Sequence, residues 1–331
     1  MKNKITLSLL LSMLGLPAMA STPAYIAPKA IQAPVLDLAY NGNKLMGVGA
    51  RGHLLALMDD QWQQLQTPSS ALFTGVTFAG KNGWAVGHDA TIIITKDGGQ
   101  NWRLTQSLPE LDKPLLDVMA ITPTKILAVG AYGMAYVSQN GGSSWTPQFY
   151  GELLHPDDLA YLDELKLEDP EFYEEERSAM LPHFNRLSKL RDGRLVMVGE
   201  MGLLALSMDQ GDSWQAINPF YDGSLFDFIE IERGSWLAVG LRGNIFRSED
   251  QGQTWYAINT DVRSTINSVV QLMSGDIVMV ANSGHVLLSK DDGNSFVSDL
   301  VAKGEDLVSV AERRDGRVAV SGSAGVHWLN L

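Results

Sequence analysis

The sequence has 331 residues, of which 45% are hydrophobic and 19% charged, with 32 glycines and 8 tryptophans. This composition indicates a folded protein with many tight turns and excludes a disordered chain. The formal net charge is −13 and there is no cysteine. Nucleic acid is therefore a poor partner, and disulfides, lipid attachment through cysteine and thiolate metal sites are excluded.

The first predicted element is a secretory signal at residues 1–20. It has a basic start at Lys2 and Lys4, then an apolar stretch, then a small-residue cleavage site that ends at Ala20. We expect a mature chain that begins near Ser21 and lies in the periplasm or outside the cell. No later segment is long and apolar enough to predict a membrane-spanning helix.

A repeated unit fills the rest of the chain, 21–331. In each unit an apolar stretch ends in a small residue, followed by two variable residues and usually glycine. The small residues are Gly49, Gly87, Gly130, Gly199, Gly240, Ala281 and Gly322. Their spacings are 38, 43, 69, 41, 41 and 41 residues, which define seven units. Short β-rich runs give each unit about four strands. We therefore predict an all-β fold, a seven-bladed β-propeller of four-stranded blades.

Five units carry a second motif, Ser/Thr-x-Asp-x-Gly-x-x-Trp, known as an Asp box, which begins eight residues after the small residue. Its acidic side chain is predicted to bond turn amides, and its aromatic side chain to pack between neighbouring sheets. The acidic residues are Asp97, Asp209, Asp250 and Asp291, with Asn140 in their place in the third unit. The tryptophans are Trp102, Trp145, Trp214 and Trp255, with Phe296 in the sixth unit. These residues are predicted to be structural.

The seventh unit offers only three strands before the chain ends. The stretch from Tyr25 to Gln32, ahead of the first unit, is the available donor of a fourth strand. Pairing it there would remove an exposed sheet edge. We therefore expect an N-terminal strand to close the ring.

An acidic insertion at about 148–183 accounts for the 69-residue spacing between units three and four. It holds eleven Asp or Glu residues against Lys166 and Arg177, a net charge of −9. Pro156 and Pro170 stand where helices begin. We predict that the insertion forms two short helices folded over one face. Its negative charge favours a basic partner. The alternative is that the insertion is a solvated loop on the surface without a binding role.

The variable pairs of the seven units are predicted to form a ring on the face opposite the Asp boxes. Arg51, Tyr132 and Arg242 belong to this ring, and Arg263 lies in the connection before the sixth unit. These four residues are the candidate partner-binding site. Function is expected on this face because the Asp-box face is scaffold.

A glycan-acting protein is the alternative class. Asp-box propellers include sialidases, which use an arginine cluster, a Tyr nucleophile, its Glu partner and an acidic Asp. Arg51, Arg242, Tyr132 and Glu200 on the ring keep a sialidase-like glycoside hydrolase or glycan-binding propeller open. Sialidases usually have six blades, whereas this sequence has seven units. The difference favours a protein that is not an enzyme. The six histidines form no ligand pattern, and neither a metal nor a cofactor is predicted.

Residues 83–102 and 236–255 closely resemble repeats of the photosystem II stability/assembly factor family. The resemblance implies an extracytoplasmic seven-bladed propeller without enzymatic activity, which binds newly made reaction-centre polypeptide through an arginine-rich patch. It implies a membrane protein or polypeptide as partner. Carried over to this chain, the patch falls on Arg51 and Arg242, with Arg263 and Arg186 as further candidates.

The ordinary bacterial export signal favours a family member from a non-photosynthetic bacterium. We expect a binding scaffold that assists assembly or operation of a membrane protein complex such as a transporter.

Overall fold

The structure, a computed structural model, describes residues 22–42 and 44–330. The predicted signal at 1–20 lies outside the described residues. Within them, 27 strands form seven antiparallel sheets, each with its strands in chain order. The strands of blades 1 to 3 are β1 Val35–Tyr40, β2 Leu45–Gly49, β3 Leu54–Met58, β4 Gln61–Leu65, β5 Phe73–Ala79, β6 Asn82–Gly87, β7 Ile92–Thr95, β8 Arg103–Gln106, β9 Leu115–Ala120, β10 Ile126–Gly130, β11 Ala135–Ser138 and β12 Thr146–Gln148.

The remaining four sheets follow the same plan. Their strands are β13 Phe184–Lys189, β14 Leu195–Gly199, β15 Leu204–Ser207, β16 Gln215–Ala216, β17 Leu225–Glu230, β18 Trp236–Gly240, β19 Ile245–Ser248, β20 Tyr256–Ile258, β21 Ile266–Gln271, β22 Ile277–Ala281, β23 His285–Ser289, β24 Val297–Leu300, β25 Leu307–Glu312, β26 Val318–Gly322 and β27 Gly325–Leu329. Blade 7 packs on blade 1, where Ser309 Oγ donates a 3.0 Å hydrogen bond to Asp37 Oδ1. The predicted seven-bladed propeller is confirmed.

The core lies between adjacent blades. The second strand of each blade is almost wholly buried, because it has a strand on either side and a neighbouring blade against each face. Leu237 and Val239 of β18, for example, share one apolar cluster with Ile277 and Met279 of β22. Such close-packed interfaces make the ring a rigid support for its two faces.

The Asp-box segments form the turns between third and fourth strands. In blade 5, Ser248 Oγ donates to Asp250 Oδ1 at 2.9 Å and accepts from Gly252 N at 2.8 Å. Asp250 Oδ1 in turn accepts from Thr254 N at 2.8 Å. The other four copies repeat these bonds. The turn thus binds its own amides and leaves the opposite face free to vary.

The expected N-terminal closing strand is wrong. Blade 7 has three strands, and residues 22–34 form no strand; Ala30–Gln32 is a single 3₁₀ turn. Pro23 and Pro28 explain this, since proline has no N–H to give to a sheet ladder. The segment instead packs Ala27 and Ala30 into the apolar cluster shared by blades 7 and 1.

The insertion forms the two predicted helices, α1 Pro156–Glu168 and α2 Pro170–Met180. Asp169 caps α2 by accepting a hydrogen bond from Phe172 N at 3.1 Å. Leu162 is the buried anchor of α1. Neither helix, nor any other among the described residues, has the length and apolarity needed to cross a bilayer.

Candidate functional site

The turns between second and third strands share one unusual backbone. In six blades the second variable residue has a positive φ although it is not glycine. These residues are Arg51, Asp89, Tyr132, Met201, Arg242 and Ser283, with φ between 54° and 63°. In five of the six turns a glycine with positive φ follows, the pattern of a type I′ turn. Glycine would also suit the positive φ of these six residues. Their side chains are therefore kept at a conformational cost.

Arg242 and Arg263 lie next to each other. The turn of blade 5 packs so tightly on the connection to blade 6 that a Cβ on Gly243 would stand 2.2 Å from the Val262 carbonyl oxygen. Arg263 Nη1 donates to the carbonyl oxygens of Thr260 and Val262, at 2.7 and 3.1 Å. Both arginine side chains are exposed. The two segments in contact therefore each carry one exposed arginine on this face.

Arg51 and Tyr132 stand apart from that pair. Arg51 belongs to blade 1, and blades 6 and 7 lie between it and Arg242. Tyr132 belongs to blade 3. The structure therefore brings together two of the four predicted site residues and spreads the other two around the same face.

Tyr132 is the centre of a second cluster. Its ring makes an edge contact with His183, with centroids 4.5 Å apart, and Lys113 Nζ lies 5.0 Å from the ring centroid. His183 Nδ1 is 3.4 Å from Glu200 Oε1. Tyr132 as a residue is 46% exposed. An aromatic surface with a cation and a carboxylate beside it is suited to polypeptide side chains.

Sequence reasoning missed Lys113 and His183. Each stands just before the first strand of its blade, so the connection carries it to the variable face. The sequence pointed to Arg263 because it lies in such a connection. Lys113 and His183 could have been found by examining the corresponding connection of every blade. Their contacts with Tyr132 depend on packing that residue spacing does not reveal.

Arg186 does not join the exposed patch for which it was a further candidate. It extends from β13 into the central channel, where its guanidinium nitrogens lie 3.6 Å from Asp37, 3.6 Å from Asp117 and 3.5 Å from Asp227. Only 21% of the side chain is accessible. It lines two cavities of about 340 and 350 Å³, one toward each face. Its charge is thus used inside the ring.

The channel carboxylates bind successive blades together. Asp37, Asp117 and Asp227 each accept a backbone N–H from the blade that follows, at 2.7 to 2.9 Å. Burial raises the pKa of Asp117 to about 6, against the opposing attraction of Arg186. Burial also raises the pKa of Asp227. Burial alone would lower the pKa of Arg186, but the three carboxylates raise it overall. This network is structural.

The residues that kept the glycosidase alternative open gather only in part. Tyr132 and Glu200 both approach His183, from blades 3 and 4. Arg51 and Arg242 stand on blades 1 and 5 and on different turns from either of them. Across 22–42 and 44–330, no group of three or more acidic or histidine side chains is arranged to hold a metal ion.

Comparison with known proteins gives a family match over most of the chain. The model of the family described as photosynthesis system II assembly factor YCF48 matches residues 18–153 and 180–330. The stretch between these segments contains α1 and nearly all of α2. The chain is 28% identical over 106 residues to the chloroplastic photosystem II stability/assembly factor HCF136 of Arabidopsis thaliana, a match that covers 30% of this chain and 26% of that relative. The match thus spans about a quarter of the relative's length.

Two solved structures share the fold. One is YCF48 bound to D1 peptide, with a TM-score of 0.68 and 17% identity, covering 89% of this chain and 92% of that one. The other is YCF48 from Cyanidioschyzon merolae, with a TM-score of 0.66 and 17% identity, covering 92% and 98%. At this identity the likeness establishes the propeller architecture alone.

Proposed function

Because the chain belongs to the photosystem II assembly factor YCF48 family, we propose that it is a non-enzymatic scaffold that binds a polypeptide segment of a membrane protein during assembly of a complex. The adjacent pair Arg242 and Arg263 is the observation that carries this proposal. Two exposed cations on a surface of a strongly acidic protein attract an anionic segment and orient it on this face.

The partner-binding face consists of the type I′ turns, with Arg51, Tyr132 and Arg242, and the connection that holds Arg263. The solved structure of YCF48 bound to D1 peptide supports this assignment. In that structure a propeller of the same fold has a polypeptide ligand. Side chains retained at positive φ add to this, because backbone strain of this kind persists where a side chain has a task.

The scaffold acts outside the cytoplasm, in keeping with the predicted export signal, and the membrane complex that it serves is one such as a transporter. Binding, rather than catalysis, is its activity. The separation of Arg51, on blade 1, from Arg242, on blade 5, supports this part of the proposal, because a sialidase gathers its arginines around one carboxylate.

Affinity purification from detergent-solubilised membranes tests the proposal. The protein is compared with Arg242→Glu/Arg263→Glu and with a control, Lys96→Glu/Lys290→Glu, which changes the net charge equally on the Asp-box face, where both lysines are exposed. We expect one membrane protein to be retained by the wild type and the control and to be reduced about tenfold in the arginine variant. Equal recovery in all three would contradict the assigned face.

A further inference from the structure

A groove of about 530 Å³ lies on the outer side of the Tyr132 cluster, between α2 and blade 3. Leu111, Met134 and Phe149 provide apolar walls, and Glu174 and Glu175 of α2 form one rim. Leu111 is 38% exposed. The groove therefore offers water-accessible apolar surface beside carboxylates, a combination that takes an apolar side chain and a cationic neighbour.

The groove is held open by fixed contacts. Lys113 Nζ donates to the Ser178 carbonyl oxygen at 2.8 Å, which ties the end of α2 to the strand connection before blade 3. Gly133 N donates to the Pro182 carbonyl oxygen at 2.9 Å, and a Cβ on Gly133 would stand 2.2 Å from that of Leu181. The walls are thus preformed, which lowers the entropy cost of binding.

The four charged residues that line the groove, Lys113, Glu174, Glu175 and Arg177, sum to zero. Arg177 Nη2 is bonded to Glu174 Oε2 at 2.5 Å, with its guanidinium over Phe149. Lys113 Nζ is held at the Ser178 carbonyl oxygen, whereas the Glu175 carboxylate has no salt bridge among the described residues. The remainder of the insertion is strongly acidic, because 148–183 as a whole carries −9. A cation that enters beside Glu175 therefore meets a carboxylate within the negative field of the insertion.

Glu174 and Glu175, which form the rim, fall between the two segments that match the family, 18–153 and 180–330. The family match therefore does not extend to this side of the groove.

We propose that this groove binds an apolar side chain of the partner polypeptide that stands next to a lysine or arginine. The partner would then present an anionic stretch to Arg242 and Arg263 and a basic apolar stretch to α2. This inference rests on the proposed function, since it specifies the chemistry of the polypeptide that the face receives.

Fluorescence anisotropy with three short labelled peptides of equal length tests the inference. One peptide is rich in Leu and Lys, the second in Leu and Glu, and the third in Ser and Lys. We expect the full-length protein to bind the Leu/Lys peptide about tenfold more tightly than either of the others. Raising the ionic strength should weaken that binding, because the groove charges are exposed.

Matched variants locate the site. Glu175→Lys should weaken binding of the Leu/Lys peptide about fivefold, because attraction becomes repulsion. Glu164→Lys on α1, exposed and away from the groove, should change it little although the net charge is the same. Leu111→Ser should weaken it without altering its salt dependence. Circular dichroism confirms that each variant is folded.

The outcomes separate this inference from the proposed function. Equal binding of all three peptides, or equal effects of Glu175→Lys and Glu164→Lys, would overturn the groove assignment. If the membrane partner is nevertheless lost on Arg242→Glu/Arg263→Glu, the scaffold function stands. If the wild type retains no membrane protein while the Leu/Lys peptide still binds in the groove, the scaffold function fails and the groove remains.

Discussion

Arg186 and Asp227 meet in the central channel, with Nε of the arginine 3.5 Å from Oδ1 of the aspartate. They come from blades 4 and 5, and Asp37 and Asp117 complete the network from blades 1 and 3. Arg186→Met would leave three buried carboxylates without their cation. We expect it to lower the free energy of unfolding by about 3 kcal/mol at neutral pH.

The loss of stability in Arg186→Met should depend on pH. Burial already raises the pKa values of Asp117 and Asp227. Without the arginine these two folded-state pKa values rise further, so the folded protein holds more protons than the unfolded chain as pH falls below neutrality. Stability of the variant should therefore recover as pH falls from about 7 to about 5. Urea unfolding at several pH values measures this; a deficit that does not change with pH would show that the carboxylates are not the cause.

Deletion of residues 22–32 should destabilise the ring although they form no strand. The deletion removes the 3.1 Å hydrogen bond from Ala24 N to the Thr67 carbonyl oxygen, the 2.7 Å bond from Ala27 N to Gln64 Oε1, and buried Ala30. We expect the melting temperature to fall by about 5 °C. An unchanged melting temperature in a thermal scan would mean that the seam between blades 7 and 1 holds without this segment.

Asp250→Asn tests the role of an Asp-box carboxylate. Hydrogen bonds from Thr254 lower the pKa of Asp250 from 3.8 to about 2. A carboxyl with a lowered folded-state pKa adds stability above its unfolded pKa and loses that contribution as pH falls through the folded value. The stability gap between wild type and variant should therefore be constant above pH 4 or so and narrow toward about pH 2.

Chemical denaturation across that range measures the gap. Asn140 occupies the corresponding turn of blade 3 and makes the same bond to the residue four positions on, from Ser144 N at 3.0 Å. The variant should therefore fold. A gap that stays constant to the lowest pH would contradict the assigned role of the charge.

Arg242→Gly separates binding from stability. Arg242 has φ 59°, so glycine relieves strain and should raise the free energy of unfolding by about 0.5 kcal/mol. Met201→Gly, at φ 55° in the same turn of blade 4, is the matched control. Both should stabilise the protein, but only Arg242→Gly should lose partner affinity. Destabilisation by both would show that these side chains serve the fold.

The repeat made the architecture predictable, because Gly49, Gly130 and their equivalents mark the same strand end in every blade. The ring positions of Arg51, Tyr132 and Arg242 followed from that register. The place of Arg186 could not be read in this way, since its partners Asp37 and Asp117 are 149 and 69 residues distant in sequence. Only ring closure brings such residues together.

The groove was equally hidden. The sequence predicted two acidic helices, but the rim position of Glu175 depends on the bond from Lys113 to Ser178, which joins residues 65 positions apart. For the N-terminal segment, the sequence predicted a strand that the structure does not have. The prediction came from the open edge of blade 7, but Pro28 has no N–H to donate to a sheet.

Amide hydrogen exchange with and without the purified membrane partner locates the partner-binding face. We expect protection in the turns at 50–53, 131–134 and 241–244 and in the connection at 259–265. We expect no change in the Asp-box turns at 95–102, 207–214 and 248–255. Protection confined to the Asp-box turns would contradict the assignment of the partner-binding face.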